Sequence, residues 1–339
     1  MRKPVVLITG ASGEIGHGLI DRLAADDSRG IVTLDLAPLE PAQARKVQRE
    51  IVGSILDQPA LERILAEFEV DLVFHLAALL STRSEFSPRT AHEVNVEGTL
   101  NLLEFAQREA ESHGRPVMFL YPSSIAAFGL PTLEAKRTAG RVREDQFAQP
   151  ATMYGCNKLY CEQLGHYYAH HYKRLSAEQH HERVDFRAVR FPGLISADTM
   201  PSGGTSDYAP EMIHAAAKGE AYACFVRPDT RIPFMAMPDG VQALLTLARA
   251  PRTAFTRSAY NLGAFAPTAD EVRAEVLRAF PSAAITYQVD EKRQGIVDSW
   301  PEDVDDAAAR RDWGFRPAHD FTSAFREYLI PSIKRRYGE

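Results

Sequence analysis

The chain has 339 residues, of which 45% are hydrophobic and 25% are charged, and its formal net charge is −6. This composition is that of an ordinary globular protein and excludes disordered and fibrous classes. The acidic balance argues against nucleic acid and anionic membrane partners, which need a concentrated basic surface, so the expected partner is a small molecule.

The first half of the chain alternates short apolar runs with longer amphipathic segments. Between the runs, apolar residues recur at three- and four-residue spacing and predict helices near 14–26, 58–68 and 88–112. The alternation indicates βαβ units and therefore an α/β fold with a doubly wound parallel sheet, the Rossmann type. The runs that predict strands are 5–9, 31–36, 72–77 and 117–121.

A glycine-rich turn follows the first predicted strand, where TGASGEIG carries Gly10, Gly13 and Gly16. Glycine lets the backbone approach a pyrophosphate, and the free amides of the following helix stabilise the phosphate charge. The pattern alone is weak, but a strand before it and a helix after it strengthen it. The turn predicts a dinucleotide site.

Asp35 ends the second predicted strand, about twenty residues after the glycines. A carboxylate at this point accepts both ribose hydroxyls of the adenosine half and repels a 2′-phosphate. The sequence therefore predicts NAD rather than NADP as the cofactor. The alternative is that Asp35 is only a turn residue at the end of a strand.

The segment from Pro150 to about Lys173 predicts a long helix, and a strand follows at 184–191. Tyr154 and Lys158 are four residues apart and project from the same helical face. A neighbouring ammonium group and an oxidised nicotinamide ring would favour the phenolate, making Tyr154 a general base. Ser124, at a strand end, would bond the reacting oxygen of the substrate. A chance YxxxK pattern is the alternative, and the cofactor turn counts against it.

Five strings in the first 200 residues occur in an order that resembles the extended short-chain dehydrogenase family. They are TGASGEIG, HLAA at 75–78, NVEGT at 95–99, SSIAAFG at 123–129 and YGCNK at 154–158. The resemblance implies a seven-stranded sheet, NAD across the strand ends, and catalysis by Ser124, Tyr154 and Lys158. Two departures are Ser54, where many relatives have Asp, and Phe128 in place of a tyrosine.

The same resemblance implies a set of NAD contacts and an assembly. The assembly is a homodimer that pairs the helices at 88–112 and 151–172 in a four-helix bundle. The implied NAD contacts are Gly10, Ser12, Gly13, Glu14, Ile15, Gly16, Asp35, Leu36, Ser54, Ile55, Leu76, Ala77, Ala78, Asn95, Tyr154, Lys158, Pro192 and Leu194.

Beyond residue 190 the pattern changes to short elements rich in Gly and Pro, with helices predicted at 239–250, 268–279 and 320–335. The length also favours two lobes. We expect a Rossmann domain at 1–190 with the catalytic residues, and a smaller α/β substrate lobe at 191–339. A stretch at about 239–262 is expected to return to the Rossmann domain.

Several strings, most of them in the second half, resemble short-chain-type L-threonine dehydrogenases: AALLS at 77–81, RFPGLIS, PSGGTSDYA, PDTRIP, RQGIVDSWP and DWGF. That resemblance extends over essentially the whole chain. It implies NAD-dependent oxidation of the β-hydroxyl of L-threonine to give 2-amino-3-oxobutyrate. Two alternatives stay open, a nucleotide-sugar epimerase or dehydratase and a catalytically silent NAD-binding protein.

An amino acid needs donors for its carboxylate and an acceptor for its ammonium group, and GGTSD at 203–207 offers both. Asp207 would pair the ammonium, unless it only caps the helix expected near Tyr208. The substrate contacts expected on this basis are Ser81, Ser124, Tyr154, Gly204, Thr205, Ser206 and Asp207.

Four further features of the sequence either have two possible roles or are not expected to form a functional site. Trp300 is either a lid over the substrate or a core residue, with core favoured. Arg227 and Arg231 either meet a diphosphate or form structural salt bridges. The histidines at 166–181 fit a solvated helix extension better than a metal site, and no metal is expected. The three cysteines are too few for a disulfide framework and, with an apolar start too short for a signal sequence, predict a cytoplasmic protein.

Overall fold

A parallel seven-stranded sheet forms the centre of the computed structural model, which describes residues 4–26, 29–177, 182–201 and 203–338. The sheet order is β11-β7-β5-β4-β1-β2-β3, with every pairing parallel, so the predicted α/β fold with a doubly wound sheet is confirmed. The strands are β1 Pro4–Thr9, β2 Gly30–Asp35, β3 Arg49–Val52, β4 Glu69–His75, β5 Val117–Ser124, β6 Arg141–Val142, β7 Val184–Phe191, β8 Gly193–Ile195, β9 Tyr222–Cys224, β10 Phe234–Ala236, β11 Ala259–Asn261, β12 Ile285–Tyr287 and β13 Asp303–Val304.

Helices connect these strands and cover the sheet. The predicted helix at 88–112 contains a π-helical stretch, Glu93–Glu97, between α5 and α6. The α-helices are α1 Glu14–Ala24, α2 Pro41–Ala44, α3 Gln58–Glu67, α4 Ser81–Phe86, α5 Pro88–His92, α6 Gly98–His113, α7 Leu133–Thr138, α8 Met153–His170, α9 Tyr208–Lys218, α10 Met237–Arg249, α11 Ala269–Ala279, α12 Glu291–Asp298, α13 Ala307–Trp313, α14 Phe321–Ser323 and α15 Ile330–Tyr337. Short 3-10 turns lie at Ile125–Ala127 and Arg252–Ala254, and a second π-helical stretch at Ala324–Leu329.

The apolar run of β1 explains how the sheet is buried on both faces. Val5 and Leu7 pack in a cluster with apolar residues of α3, α6 and α8, whereas Val6 and Ile8 pack with those of α1 and α10. Alternate residues of a strand point to opposite faces, so an uninterrupted apolar run fits a strand covered by helices on both sides.

The order in which strands are added to the sheet changes direction between β1 and β4, which are adjacent. The strands β2 and β3 lie on one side of β1, and β4, β5, β7 and β11 lie on the other. In open α/β sheets the crevice beyond the carboxyl ends of such strands is where ligands bind. The glycine-rich turn after β1 and the HLAA segment after β4 both lie at this edge.

The part of the chain beyond residue 190, called the smaller lobe below, contributes most of an apolar cluster around Tyr208, Phe225 and Phe234, which also includes Ile125, Phe128 and Val142. Three two-stranded sheets accompany the central sheet. These sheets pair β8 with β10, β9 with β12, and β6 with β13. Among the described residues, no helix has both the length and the apolar character needed to cross a bilayer.

Candidate functional site

Two positions of the TGASGEIG string have room only for glycine, Gly10 in the turn after β1 and Gly16 in the first turn of α1. Gly10 has φ +69°, and a Cβ there would lie 2.5 Å from the backbone nitrogen of Ala77. A Cβ on Gly16 would lie 2.3 Å from the carbonyl oxygen of Ala11. Both are far below a normal contact distance, so the close passage of backbone that a pyrophosphate site requires is present here.

Asp35 is held against this turn at the end of β2. Its carboxylate accepts hydrogen bonds from the backbone amides of Ser12, at 2.9 Å, and Ala37, at 3.0 Å. The Ser12 hydroxyl in turn donates to the Ala37 carbonyl oxygen at 2.9 Å. The strand-end carboxylate and the glycine turn therefore form one local unit, which is the arrangement that NAD recognition needs.

Glu14 opens α1 beside Gly13, the N-cap residue of that helix, and bonds the hydroxyl of Thr199 in the smaller lobe. Burial raises the pKa of the Glu14 carboxyl above its usual range. Half-buried Ile15 follows it on the same helix. Glu14 thus joins the cofactor turn to the loop that leads into the predicted substrate segment.

Most of the other predicted NAD contacts lie at the same edge of the sheet, just after its strands. Ile55 is buried against Gly98, and the neighbouring Ser54 hydroxyl accepts from the Leu56 amide at 3.1 Å. Asn95, on the π-helical stretch, accepts from the Leu79 amide at 2.7 Å. The remaining members are Leu36, whose side chain is 76% exposed, the segment Leu76, Ala77 and Ala78 after β4, and Pro192 and Leu194 at the start of the smaller lobe.

Sequence reasoning missed a buried polar chain behind this edge. The hydroxyl of Thr99 donates to the Asn95 carbonyl, so it accepts from His75 Nε2 at 2.9 Å, and His75 Nδ1 accepts from the Thr9 hydroxyl at 2.8 Å. Burial lowers the pKa of His75 to about 3, which keeps the ring neutral. This series of hydrogen bonds links β1, β4 and Asn95. The HLAA string contains His75, but only the fold shows which hydroxyls face it.

Ser124, Tyr154 and Lys158 come together at the carboxyl end of β5. Thr152 begins α8 by accepting the Gly155 amide at 3.0 Å. A Cβ on Gly155 would lie 2.0 Å from the carbonyl oxygen of Ala126, so this glycine lets the helix approach the strand end closely. The Ser124 side chain hydrogen-bonds Tyr154, and Lys158 Nζ lies 5.5 Å from the centre of the Tyr154 ring.

The charges of this trio are set mainly by burial. Burial raises the pKa of the Tyr154 phenol, while its bond to Ser124 acts the other way. Burial lowers the pKa of Lys158 to about 8, and Lys158 Nζ donates to the Pro122 carbonyl at 2.6 Å. The expected preference of Tyr154 for the phenolate is therefore not seen in the protein alone, because here desolvation of the phenol outweighs its bond to Ser124.

A buried ion pair supports the catalytic helix from behind, and sequence reasoning did not find it. Glu162, two turns after Tyr154, accepts from Arg190 Nε at 2.9 Å and Nη2 at 2.7 Å. Its carboxylate also accepts from the hydroxyl of Ser123, next to Ser124. Glu162 and Arg190 are 2% and 3% exposed.

The predicted substrate segment packs against the start of α4. Ser81, a predicted substrate contact, is the first residue of that helix, and its hydroxyl oxygen accepts from the Thr205 amide at 3.3 Å and hydroxyl at 3.2 Å. Ser206 lies on the other side of the loop, where a Cβ on Gly193 would be 3.4 Å from its Cβ. Asp207 occupies the N-cap position of α9 without a side-chain capping bond.

The structure shows the surroundings of Trp300, Arg227 and Arg231, for which the sequence left two interpretations. Trp300 is 4% exposed within the core of the smaller lobe, as the favoured interpretation has it. Arg227 pairs with Asp298 through two bonds of 2.9 Å, and Arg231 pairs with Glu271 at 3.2 Å.

His166 and His170 line a cavity of about 440 Å³ beside the C-terminal part of α8. His166 Nδ1 bonds the hydroxyl of Ser258 at 2.8 Å. His180 and His181 lie outside the described residues. Among the residues that are described, no group of three or more His, Cys, Asp or Glu is placed to hold a metal ion.

Comparison with known proteins gives three kinds of match. The model of the NAD-dependent epimerase/dehydratase family matches residues 6–263. "L-threonine 3-dehydrogenase, mitochondrial" from Bos taurus is 37% identical over 316 residues, 93% of this chain and 79% of the relative. An uncharacterised epimerase/dehydratase of Staphylococcus haemolyticus is 34% identical over 98% of both chains. The crystal structure of an L-threonine dehydrogenase from Clostridium difficile superposes with a TM-score of 0.85, at 31% identity over 99% of both chains.

Proposed function

The chain belongs to the NAD-dependent epimerase/dehydratase family, and from this premise we propose that it oxidises L-threonine to 2-amino-3-oxobutyrate with NAD. It is an NAD-dependent oxidoreductase of the threonine dehydrogenase type. The observation that carries the proposal is the placement of Ser124, Tyr154 and Lys158 at the sheet edge that also holds the glycine turn. In addition, a relative named L-threonine 3-dehydrogenase matches nearly the full length of this chain.

Each residue of the trio has one task in the proposed reaction. The Ser124 hydroxyl bonds the β-oxygen of the substrate and holds it against Tyr154, which removes the hydroxyl proton as general base. Lys158 keeps a positive charge near the phenol and favours its ionised form. Bound NAD would supply the acceptor for the hydride that leaves Cβ. The residues that would hold it are the glycine turn and Asp35.

The test is NADH formation with a panel of L-threonine, its stereoisomers, L-serine and UDP-sugars. Steady NADH production with L-threonine is expected. An epimerase would convert a UDP-sugar without net NADH, and a silent NAD-binding protein would convert none of the compounds. Either of those outcomes would overturn the proposed activity.

Three features of organisation belong to the same proposal. The Rossmann domain at 1–190 would carry the cofactor and the catalytic residues, and the part beyond it would set specificity. A homodimer would pair α5 and α6 with α8, which is supported by two aromatic residues on α8, Tyr160 and Tyr167, that are 54% and 42% exposed. A cytoplasmic location is supported by the three cysteines, all of which are free thiols.

Replacing Asp35 by Ser is expected to narrow the preference for NAD over NADP. Asp35 stands where the adenosine ribose would lie, and its charge opposes a 2′-phosphate. Removing one repulsive charge at a partly exposed site is worth about 1 kcal/mol or more, which is about a fivefold change or more in the ratio of dissociation constants. Titration of both cofactors against the two proteins measures it. Equal affinity of the unchanged protein for NAD and NADP would contradict this assignment.

A further inference from the structure

Gly204 lies between two opposite charges in the substrate segment. Its amide donates to Asp207 Oδ2 at 2.6 Å. Its carbonyl oxygen accepts from Arg293 Nη2 at 3.1 Å. A carboxylate and a guanidinium group therefore flank Gly204, and Arg293 is the first residue of the RQGIVDSWP string.

Neither charge has an ion-pair partner among the described residues, although the Arg293 guanidinium lies near enough to Glu211 to act on the pKa of that carboxyl, lowering it against the larger effect of burial. Within the described residues, no ion pair of 4.0 Å or less is formed by Asp207 or Arg293, whereas nearby Arg227 has Asp298 at 2.9 Å. The Nε atom of Arg293 is buried and has no hydrogen-bond partner. A buried donor without a partner is costly, so the structure leaves a bond at this atom to be made by something else.

Both groups are fixed in place before any ligand arrives. The Arg293 guanidinium lies over the Phe225 ring, 3.2 Å from its centre. Asp290 caps α12 and accepts the Arg293 amide at 3.2 Å. The loop itself is anchored to the Rossmann domain, because the Thr82 hydroxyl donates to the Gly203 carbonyl at 2.6 Å. Rigid charged groups bind without a large ordering cost.

We propose that Arg293 and Asp207 form a zwitterion clamp, in which Arg293 binds the carboxylate of an α-amino acid and Asp207 binds its ammonium group. The clamp rests on the proposed function and explains its choice of substrate. An amino acid entering a closed pocket carries both charges, and each must be paired once water is excluded. A guanidinium also matches the planar geometry of a carboxylate, which backbone amides and hydroxyls alone do not neutralise.

The test compares two substrates that differ only in the carboxylate. L-threoninamide keeps the β-hydroxyl and, at pH 7, most of the ammonium charge. Arg293→Gln is expected to lower kcat/KM for L-threonine by about 30-fold or more, since it removes one partner of a buried charge pair. For L-threoninamide the same variant is expected to lose less than about threefold. Lys292→Gln, the exposed neighbour on the same helix, is the matched control and should change neither substrate.

Asp207→Asn gives the complementary result, because both substrates carry the ammonium group and both should lose kcat/KM together. An equal loss on the two substrates in Arg293→Gln would show that Arg293 only supports the loop, and would overturn the clamp. If that variant does not fold, Arg293→Lys replaces it, with the loss again expected for L-threonine alone. Absence of NADH from L-threonine with the unchanged protein would instead overturn the proposed function.

Discussion

Tyr154→Phe is expected to lower kcat by at least about a hundredfold while NAD affinity stays nearly unchanged. The substitution removes the phenolic oxygen that would take the substrate proton, and general base catalysis typically contributes a factor of a hundred or more. The ring remains, so its packing against the core of the smaller lobe is kept. Initial rates of NADH formation and a titration of NAD measure the two quantities.

Tyr160→Phe is the matched control for this variant, since Tyr160 lies on the same helix and is 54% exposed. It should retain full activity. A Tyr154→Phe protein with a tenth of the original activity would remove Tyr154 as the main base. In the unchanged protein, activity should rise with pH up to about pH 8, because burial holds the pKa of Tyr154 above its ordinary value and the ionised phenol is the active form. Above that pH the rise should weaken, since Lys158, with a pKa of about 8, loses the positive charge that favours the ionised phenol.

Long periodic patterns allowed most of the Rossmann half to be predicted. The strand at 184–191 and the helix before it, predicted from Pro150 to about Lys173 and observed at Met153–His170, depend on local apolar spacing, and their observed bounds agree with the prediction to within a few residues. The strands β3 and β9 were not predicted. They have only four and three residues, which is too few to distinguish the apolar pattern of a strand from that of a loop. The strands that they pair with come from other parts of the sequence.

The residues of the candidate site likewise fall into those that a local pattern predicts and those that it does not. Motifs with fixed local spacing, such as the glycine turn and the Tyr154 and Lys158 pair, were visible because the chemistry lies within one turn or one helix. Arg293 and Glu162 were not, because their roles depend on partners distant in the chain. The bond from Arg293 to Gly204 spans 89 residues, and the one from Arg190 to Glu162 spans 28. No periodicity in one sequence reports such a contact.

The pKa of Tyr154 is a second instance of this limit. The sequence places a lysine one turn away, which favours the phenolate. It does not show how far the phenol is removed from water, nor that Lys158 Nζ donates to the Pro122 carbonyl. Burial depends on the packed fold, and in the protein alone it decides the direction of the shift.

Glu162→Gln is expected to lower the free energy of unfolding by about 3–5 kcal/mol, the usual effect of leaving one charge of a buried pair without its partner. Arg190 would remain buried, with the Glu144 carbonyl oxygen at 2.9 Å as its other acceptor. Urea unfolding at pH 7 measures the change. Glu62→Gln is the control, because the pair of Glu62 with Arg108 is solvent-exposed and should contribute less than about 1 kcal/mol.

The double variant Glu162→Met and Arg190→Met separates the effect of losing the ion pair from the effect of leaving the Arg190 charge buried without a partner. Replacing both members of a buried pair by apolar residues is often close to neutral, so the double variant should unfold less readily than Glu162→Gln alone. Its kcat should still fall, because Glu162 bonds Ser123 and raises the pKa of Lys158, and both effects end with its carboxylate. A double variant as unstable as the single one would mean that packing around α8, and not the uncompensated Arg190 charge, causes the loss.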